Sequence, residues 1–393
     1  MSHQPNDPVT PWMRGRSPAP GGLLPVQRSI IDVRGLPQPT VPPPAGPEAG
    51  TGPDAGAAGA AAQESTVLVT GAGGPAGVTV IRRLVALGHR VVAADSDWAA
   101  AGGALAHAAV TVPRADHPRF LDALLGIAAA HQVDALISTV AEELPPLSAG
   151  ATRLGVAGVA TWLPTVEAVD VCCDKALFAE RLAEAGVAHP PTAVHSGTLT
   201  GIPGPWIVKP RIGRGSRGVR ALDSEREVAE ALTTDPGLIV QTRLTGREFT
   251  ADALVDRHGL VLTVVPRWRE ETKAGISVKG TTFESAHVTA LVVHALEAVE
   301  LTGPANVQGF VADDGAVTVV EINPRFSGGL PLTLAAGADV VATYLDGIRN
   351  PRAELPFLYF TPGVRMSRYF AETYSRADGL PVVDPCAPAV VTA

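Results

Sequence analysis

Apolar positions recur along this chain in two rhythms, and the places where one gives way to the other divide it into elements. From residue 65, TVLVTGAGGPAGVTVIRRLVALGHRVVAADSD reads as a strand over 67–70, a glycine turn, a helix over 76–87 and a strand over 90–94 ending at Asp95. The helix carries apolar residues at 78, 81, 84 and 85, so the three elements form a βαβ unit. Residues 120–131 have helical spacing, and ALISTV (135–140) is the unbroken apolar run of a parallel strand buried on both faces. Glu142 and Glu143 come directly after it, where a cleft at the strand's carboxyl end and open solvent are equally good readings.

A helix over 166–185 opens the next block and is stopped by Gly186 and His189-Pro190-Pro191. WIVKPRIGRGSRGV (206–219) passes from a strand into a glycine-rich loop. A helix over 224–232, strands over 238–241, 248–255 and 260–268, and a helix over 285–301 follow. Residues 1–62 have no such rhythm: they hold thirteen prolines with many Gly and Ala, a composition expected to stay disordered.

Bulk numbers narrow the function. The chain has 393 residues, room for two or three domains, and a net charge of −8 with no Lys/Arg cluster, which speaks against a nucleic-acid or membrane partner. Three cysteines, two of them adjacent at Cys172 and Cys173, suit neither a disulfide framework nor a zinc site. With no apolar run long enough to span a bilayer and no signal-peptide layout, a cytoplasmic protein is expected.

Two glycine turns invite a phosphate. GAGGPAG (71–77), with Asp95 about twenty residues on, fits a dinucleotide-binding turn, but any tight strand-to-helix turn wants glycine. KPRIGRGSRGV (209–219) is more telling: Gly213, Gly215, Ser216 and Gly218 let backbone N–H groups approach an anion, and Lys209 supplies a point charge at the strand end. No G-K-[ST] follows, so this is not a Walker loop.

ANVQGFVADDGAVTVVEINPR reads as a hairpin closed by Asp314-Gly315. Closure there sets Asp313 against Ala316 and, counting back, Gln308 against Glu321. Gln308, Glu321 and Asn323 then share a face of hard oxygen donors suited to Mg²⁺ held jointly with nucleotide phosphates. Pro324 ends the ladder and delivers Arg325 just beyond, where it could brace a phosphoryl oxygen. Upstream, Arg267 and Arg269 sit on one face of a strand, with Lys279 after a glycine-containing loop, as a clamp for a substrate carboxylate. Ser327, Gly328 and Gly329 offer backbone N–H groups to the same group.

CDKALFAERLAEAGVAHPPT, WIVKPRIGRGSRGV, LTGREFTADALV and NVQGF…VVEINPRFSGG, in that order, resemble the ATP-grasp superfamily. The likeness is strongest to single-copy relatives of the carbamoyl phosphate synthetase large chain and biotin carboxylase, and covers roughly residues 65–350. It implies an α/β plus α+β fold, a Rossmann-like pre-ATP-grasp domain that does not bind NAD (63–162), a small lobe with the phosphate loop (163–235) and a large lobe with the metal site (236–350), set between the disordered extension expected from composition (1–62) and a C-terminal segment (351–393). Carried over, Lys175 and Lys209 hold ATP phosphates under the 213–218 loop, and Glu248 accepts from the ribose. Gln308, Glu321 and Asn323 bind the metal, and Arg325 stabilises charge. Thr242 stands where the family usually has glutamate, which shifts adenine contacts toward Gln241 and the hinge backbone.

The implied activity is an ATP- and Mg²⁺-dependent carboxylate–amine ligase, working through an acyl phosphate on an amino acid or small peptide-like acid; Mn²⁺ suits the same donors. Its partners are the small-molecule carboxylate and amine, with room for a homodimer. The alternatives are a carbamoyl-phosphate-type kinase, an NAD(P)-dependent oxidoreductase resting on GAGGPAG alone, and a non-catalytic nucleotide-binding module.

Overall fold

Four short strands, β1 (Thr66–Thr70), β2 (Arg90–Asp95), β3 (Ala108–Thr111) and β4 (Ala135–Ser138), come first in the computed structural model, which describes residues 64–213, 217–273, 275–376 and 381–382. The extension expected over 1–62, and Gly215 and Ser216 of the expected phosphate loop, lie outside the described residues. The strands form a parallel sheet in the order β3-β2-β1-β4, so the chain steps one way from β1 and then crosses to its other side. Helices α1 (Pro75–Ala86), α2 (Phe120–His131), α3 (Leu144–Ala149) and α4 (Ala151–Val156) accompany it. Val67 and Val69 pack into one apolar cluster and Leu68 into another, which is why β1 is apolar at consecutive positions.

The helix expected over 166–185 is two helices, α5 (Val166–Cys173) and α6 (Lys175–Glu184), broken at Asp174. Asp174 is extended (φ −102°, ψ 106°), and its carboxylate accepts from the N–H groups of Ala176 (2.9 Å) and Leu177 (3.3 Å). It also accepts from Arg211 Nε at 2.7 Å. The apolar spacing runs through the break, so periodicity could not reveal it; an aspartate able to cap a new N-terminus was the available sign. Beyond α6 a four-stranded sheet has the order β5-β8-β6-β7, from β5 (Thr192–Ala193), β6 (Trp206–Pro210), β7 (Arg220–Leu222) and β8 (Leu238–Thr242), with α7 (Glu225–Thr234) packed on it.

A six-stranded antiparallel sheet follows, in the order β13-β12-β9-β10-β11-β14. Its strands are β9 (Arg247–Val255), β10 (Val261–Lys273), β11 (Ile276–Thr282), β12 (Gly303–Val311), β13 (Val317–Asn323) and β14 (Arg365–Ser367), with helices α8 (Ala286–Ala298), α9 (Leu330–Ala335) and α10 (Val340–Arg349). One apolar cluster joins α5 and α8 to β9, β12 and β13, through Val171, Val292, Phe249, Val307 and Val319. Another joins Leu254 and Leu262 of this sheet to Val67, Ile81, Phe326 and Tyr344. That second cluster makes the parallel sheet and the large antiparallel sheet share a core, so the carboxyl ends of β1 and β4 open onto the same cleft as β12 and β13.

Candidate functional site

The β12–β13 hairpin aims the polar side chains. It closes over three residues, Asp313, Asp314 and Gly315: the Ala312 N–H donates to Ala316 O at 2.8 Å, and Gly315 takes φ +87°. The expected two-residue turn is therefore one residue too short, because Asp313 joins the loop instead of pairing with Ala316. Val311 faces Val317 and Gly309 faces Val319, yet Gln308 still faces Glu321, because a bulge at Val320 restores the count. In the unbulged register Glu321 would oppose Val307 and point with it into the core.

Antiparallel register extends this face sideways. Asn323, Asn306 and Asp252 form one row across β13, β12 and β9. Glu321, Gln308, Thr250 and Arg267 form the next, reaching β10. Asn323 Nδ2 donates to Glu321 Oε1 (3.0 Å), and Arg325 Nη2 donates to Asn323 Oδ1 (3.1 Å). Arg269 Nη1 donates to both Glu248 Oε1 (2.7 Å) and Gln308 Oε1 (2.8 Å), tying together two residues from different strands.

Facing this sheet are the two lysines. Lys209, next to last on β6, is 6 % exposed, and burial pushes its ammonium down to about 8, with Glu321 opposing the fall and nearby Lys175 adding to it. Lys175, at the start of α6, is also pushed down by burial against the pull of Glu321. Its Nζ donates to Gly213 O at 2.7 Å, pinning the beginning of the glycine loop. Gln241 is buried on β8 and donates to Thr192 Oγ1 at 2.8 Å, while Thr242 Oγ1 donates to Pro203 O at 2.8 Å.

Lys175, Lys209, Gly213, Gln241, Glu248, Arg267, Arg269, Gln308, Glu321, Asn323, Arg325, Ser327, Gly328 and Gly329 all line one cleft of about 940 Å³. Gly218, at φ +71°, sits between two further lining residues, Arg217 and Val219. Lys279 is not brought to the cleft: its ammonium lies 2.7 Å from Glu271 and the side chain is 56 % exposed. The two arginines expected as an open clamp do share the cleft face, but each already has a carboxylate of its own chain. Glu248 holds Arg269, and Asp252 holds Arg267 at 2.9 Å with the two side chains at 4 % and 2 % exposure.

Asp252 is the residue that sequence reading passed over. Its Oδ2 also accepts from Ser327 Oγ (3.0 Å) and Thr333 Oγ1 (2.6 Å), and its Oδ1 from Asn306 Nδ2 (3.1 Å). Arg267 Nη2 donates to Ser327 Oγ at 3.0 Å, and a Cβ on Gly329 would lie 2.5 Å from Arg267 Nε, so only glycine lets the chain cross the guanidinium. Arg368, beyond β14, donates from Nη2 to Gly328 O and from Nε to Ser277 O (3.0 Å). The Ser327–Gly329 turn is thus fastened from both sides. An aspartate inside the apolar run TADALV was the sign available, since a buried carboxylate needs a partner.

At the other glycine turn, Asp95 Oδ2 accepts from Gly73 N (2.8 Å) and Oδ1 from Asp97 N (3.0 Å). The acidic residue that a dinucleotide turn would reserve for a ribose is used here to brace the turn itself.

A parallel sheet joined to two antiparallel sheets around a lysine- and arginine-lined cleft defines the class. Residues 172–329 match the family model for the ATP-grasp domain, and residues 67–161 the model for the PylC-like N-terminal domain, so the chain carries an ATP-grasp domain behind a PylC-like N-terminal domain. Among curated relatives it is 28 % identical over 215 residues to a D-alanine–D-alanine ligase of Corynebacterium urealyticum, a match covering 44 % of this chain and 58 % of that protein. It is 29 % identical over 185 residues to an uncharacterised protein of Sinorhizobium fredii, covering 42 % of this chain and 38 % of that one. The chain therefore spans less than two thirds of the length of either relative.

Its fold is shared with a biotin carboxylase–βγ-ATP complex from Campylobacter jejuni (TM-score 0.60, 15 % identity, 75 % of this chain and 74 % of that one). An L-amino acid ligase from Bacillus licheniformis shares it too (TM-score 0.58, 18 % identity, 72 % and 74 %). Among the described residues no helix is long and apolar enough to cross a membrane.

Proposed function

We propose that this protein is an ATP- and Mg²⁺-dependent carboxylate–amine ligase that forms an amide through an acyl phosphate, on an amino acid or small peptide-like acid. The observation that carries the reading is the placement of Lys175 and Lys209 against Glu321 across a single cleft, with Asn323 and Arg325 beside it. The similarity to a D-alanine–D-alanine ligase supports the same class of reaction.

The donor set is a fit for metal only together with nucleotide. Glu321 is the single carboxylate among Gln308, Glu321 and Asn323, and among the described residues no group of three or more His, Cys, Asp or Glu gathers at a metal position. Two lysines beside the one Glu321 carboxylate leave an excess of positive charge that a triphosphate would neutralise. Gln308, Glu321 and Asn323 would hold Mg²⁺ together with the nucleotide, and the ion would offset charge developing in the transfer.

In this reading the four-stranded and six-stranded sheets grip the nucleotide between them. Lys175 and Lys209 hold its phosphates, the loop including Gly213 and Gly218 covers them, and Gln241 and Glu248 face the nucleoside. Arg269 keeps Glu248 and Gln308 in place. The substrate carboxylate attacks the γ-phosphorus, ADP leaves, and Arg325 steadies the transferred group. An amine then attacks the acyl carbon, and phosphate leaves. Arg267, through Ser327 and the space left by Gly329, fixes the turn whose Gly328 and Gly329 backbone borders the acyl group. No side-chain nucleophile takes part.

The test is ADP release with ATP, Mg²⁺ and pooled small carboxylic acids, including amino acids. Release that depends on an added acid, and that disappears in Glu321→Ala together with tight MgATP binding, is the expected result. Acid-independent hydrolysis, or full turnover in that variant, refutes the reading.

A further inference from the structure

The cleft has a second end, and nothing in the nucleotide chemistry accounts for it. It runs to the carboxyl ends of β1 and β4, where the chain switches direction in the parallel sheet. Ligands of open α/β sheets collect at such a point. Thr70 and Ser138, the last paired residues of the two strands, both donate to Glu143 Oε2, the serine at 2.6 Å. Glu143 is 7 % exposed and lines the cleft. Its Oε1 accepts from no donor among the described residues, so that half of the carboxylate is left open to the cleft.

Its surroundings specify the missing donor. Asp95 and Glu142 line the same end, and burial, with both of them adding to it, raises the Glu143 carboxyl above its ordinary range. Arg114, a cation of the same lining, is 76 % exposed and 3.9 Å from Asp116. A phosphate would be repelled there. An ammonium would supply both the hydrogen bond and the charge.

We propose that this end of the cleft seats the free amino group of the carboxylate substrate, with Glu143 Oε1 as its direct acceptor and Asp95 contributing field. The inference rests on the ligase reading for the word substrate, and on the placement and charge of the carboxylates for the amine. It makes the acid an amino acid, or a peptide entering by its free amino terminus, and places its selection in the parallel-sheet domain.

The full chain is assayed for ADP release with ATP, Mg²⁺ and either the pooled proteinogenic amino acids or the same pool N-acetylated. The free pool is expected to stimulate at least about tenfold more than the acetylated one, the size of one lost charge-assisted hydrogen bond. Glu143→Gln is expected to raise KM for the stimulating amino acid by about tenfold or more, with ATP affinity kept. Equal stimulation by both pools, or an unchanged KM, overturns the proposal while leaving the ligase reading intact. If neither pool stimulates, the ligase reading falls, and binding decides the amine: pooled amino acid amides should raise the melting temperature of the wild type and not of Glu143→Gln. No stabilisation of the wild type overturns the amine seat. The acetylation comparison needs no variant, so a poorly folding Glu143→Gln does not remove the test.

Discussion

Replacing Lys209 with methionine removes a cation that the fold buries at a cost and that the nucleotide is expected to use. The side chain is 6 % exposed, and burial takes its ammonium from 10.5 to about 8, with Lys175 lowering it further and Glu321 resisting. That displacement corresponds to about 3 kcal/mol between the two protonation states. Because the folded value lies below the unfolded one, the charged lysine burdens the folded protein at neutral pH, and the burden lifts as pH rises from about 8 to 10.5.

Phosphate binding runs the opposite way, since only the ammonium pairs with it. One unit above its midpoint about a tenth of the free protein keeps the proton, so the Kd for MgATP should rise roughly tenfold between about pH 7 and pH 9. Lys209→Met should therefore bind MgATP far more weakly, lose most of that pH dependence, and unfold at higher denaturant at neutral pH than the wild type. Calorimetric titration at three pH values, with denaturant melts of both proteins, measures all three. A wild-type Kd flat across this range, or a variant less stable at neutral pH, would refute the assignment of a strained, phosphate-facing lysine.

Arg269→Met should loosen Glu248 and Gln308 together and weaken MgATP binding by about tenfold, read by the same titration. Asp252→Asn leaves the Arg267 charge buried without its counter-ion and should cost about 3–5 kcal/mol in denaturant unfolding, whereas an Asp252→Leu/Arg267→Met double variant should recover much of it. Gly329→Ala puts a Cβ 2.5 Å from Arg267 Nε, so KM for the carboxylate substrate should rise while MgATP affinity holds; a parallel loss of both would show that the turn serves the nucleotide instead. Arg368→Met frees the Gly328 and Ser277 carbonyls and should likewise raise KM for the acid, with Arg368→Lys recovering part of the loss.

What the sequence could disclose follows from how far apart the interacting residues are. The βαβ unit, the lysine at the end of β6 and the polar face of β13 depend on spacing within one element or one hairpin, and local patterns carry them. Even there, the pairing of Gln308 with Glu321 came from two compensating departures: a loop one residue longer than Asp314-Gly315 predicts, and a bulge at Val320 that adds it back. The break at Asp174 is likewise local, but it turns on a side chain capping backbone N–H groups and leaves the apolar rhythm untouched.

The arginines show where local reading stops. That Arg267 and Arg269 share a face follows from strand geometry. What each touches does not, because Asp252 and Glu248 belong to β9, which meets β10 only through the register of the six-stranded sheet. A one-dimensional pattern sees two cations two residues apart and predicts an open clamp. The sheet supplies each with a carboxylate, so Arg267 becomes a buried brace for the Ser327–Gly329 turn and Arg269 a tie between Glu248 and Gln308. Glu143 is the converse case: its sequence context fitted exposure and cleft alike, and only the crossing of the chain from β1 to β4 turns it into a buried carboxylate with an oxygen left over. The residues proposed to choose the substrate are then the ones whose neighbours are most distant in sequence, whereas those proposed to hold the nucleotide were read from spacing within one element or one hairpin.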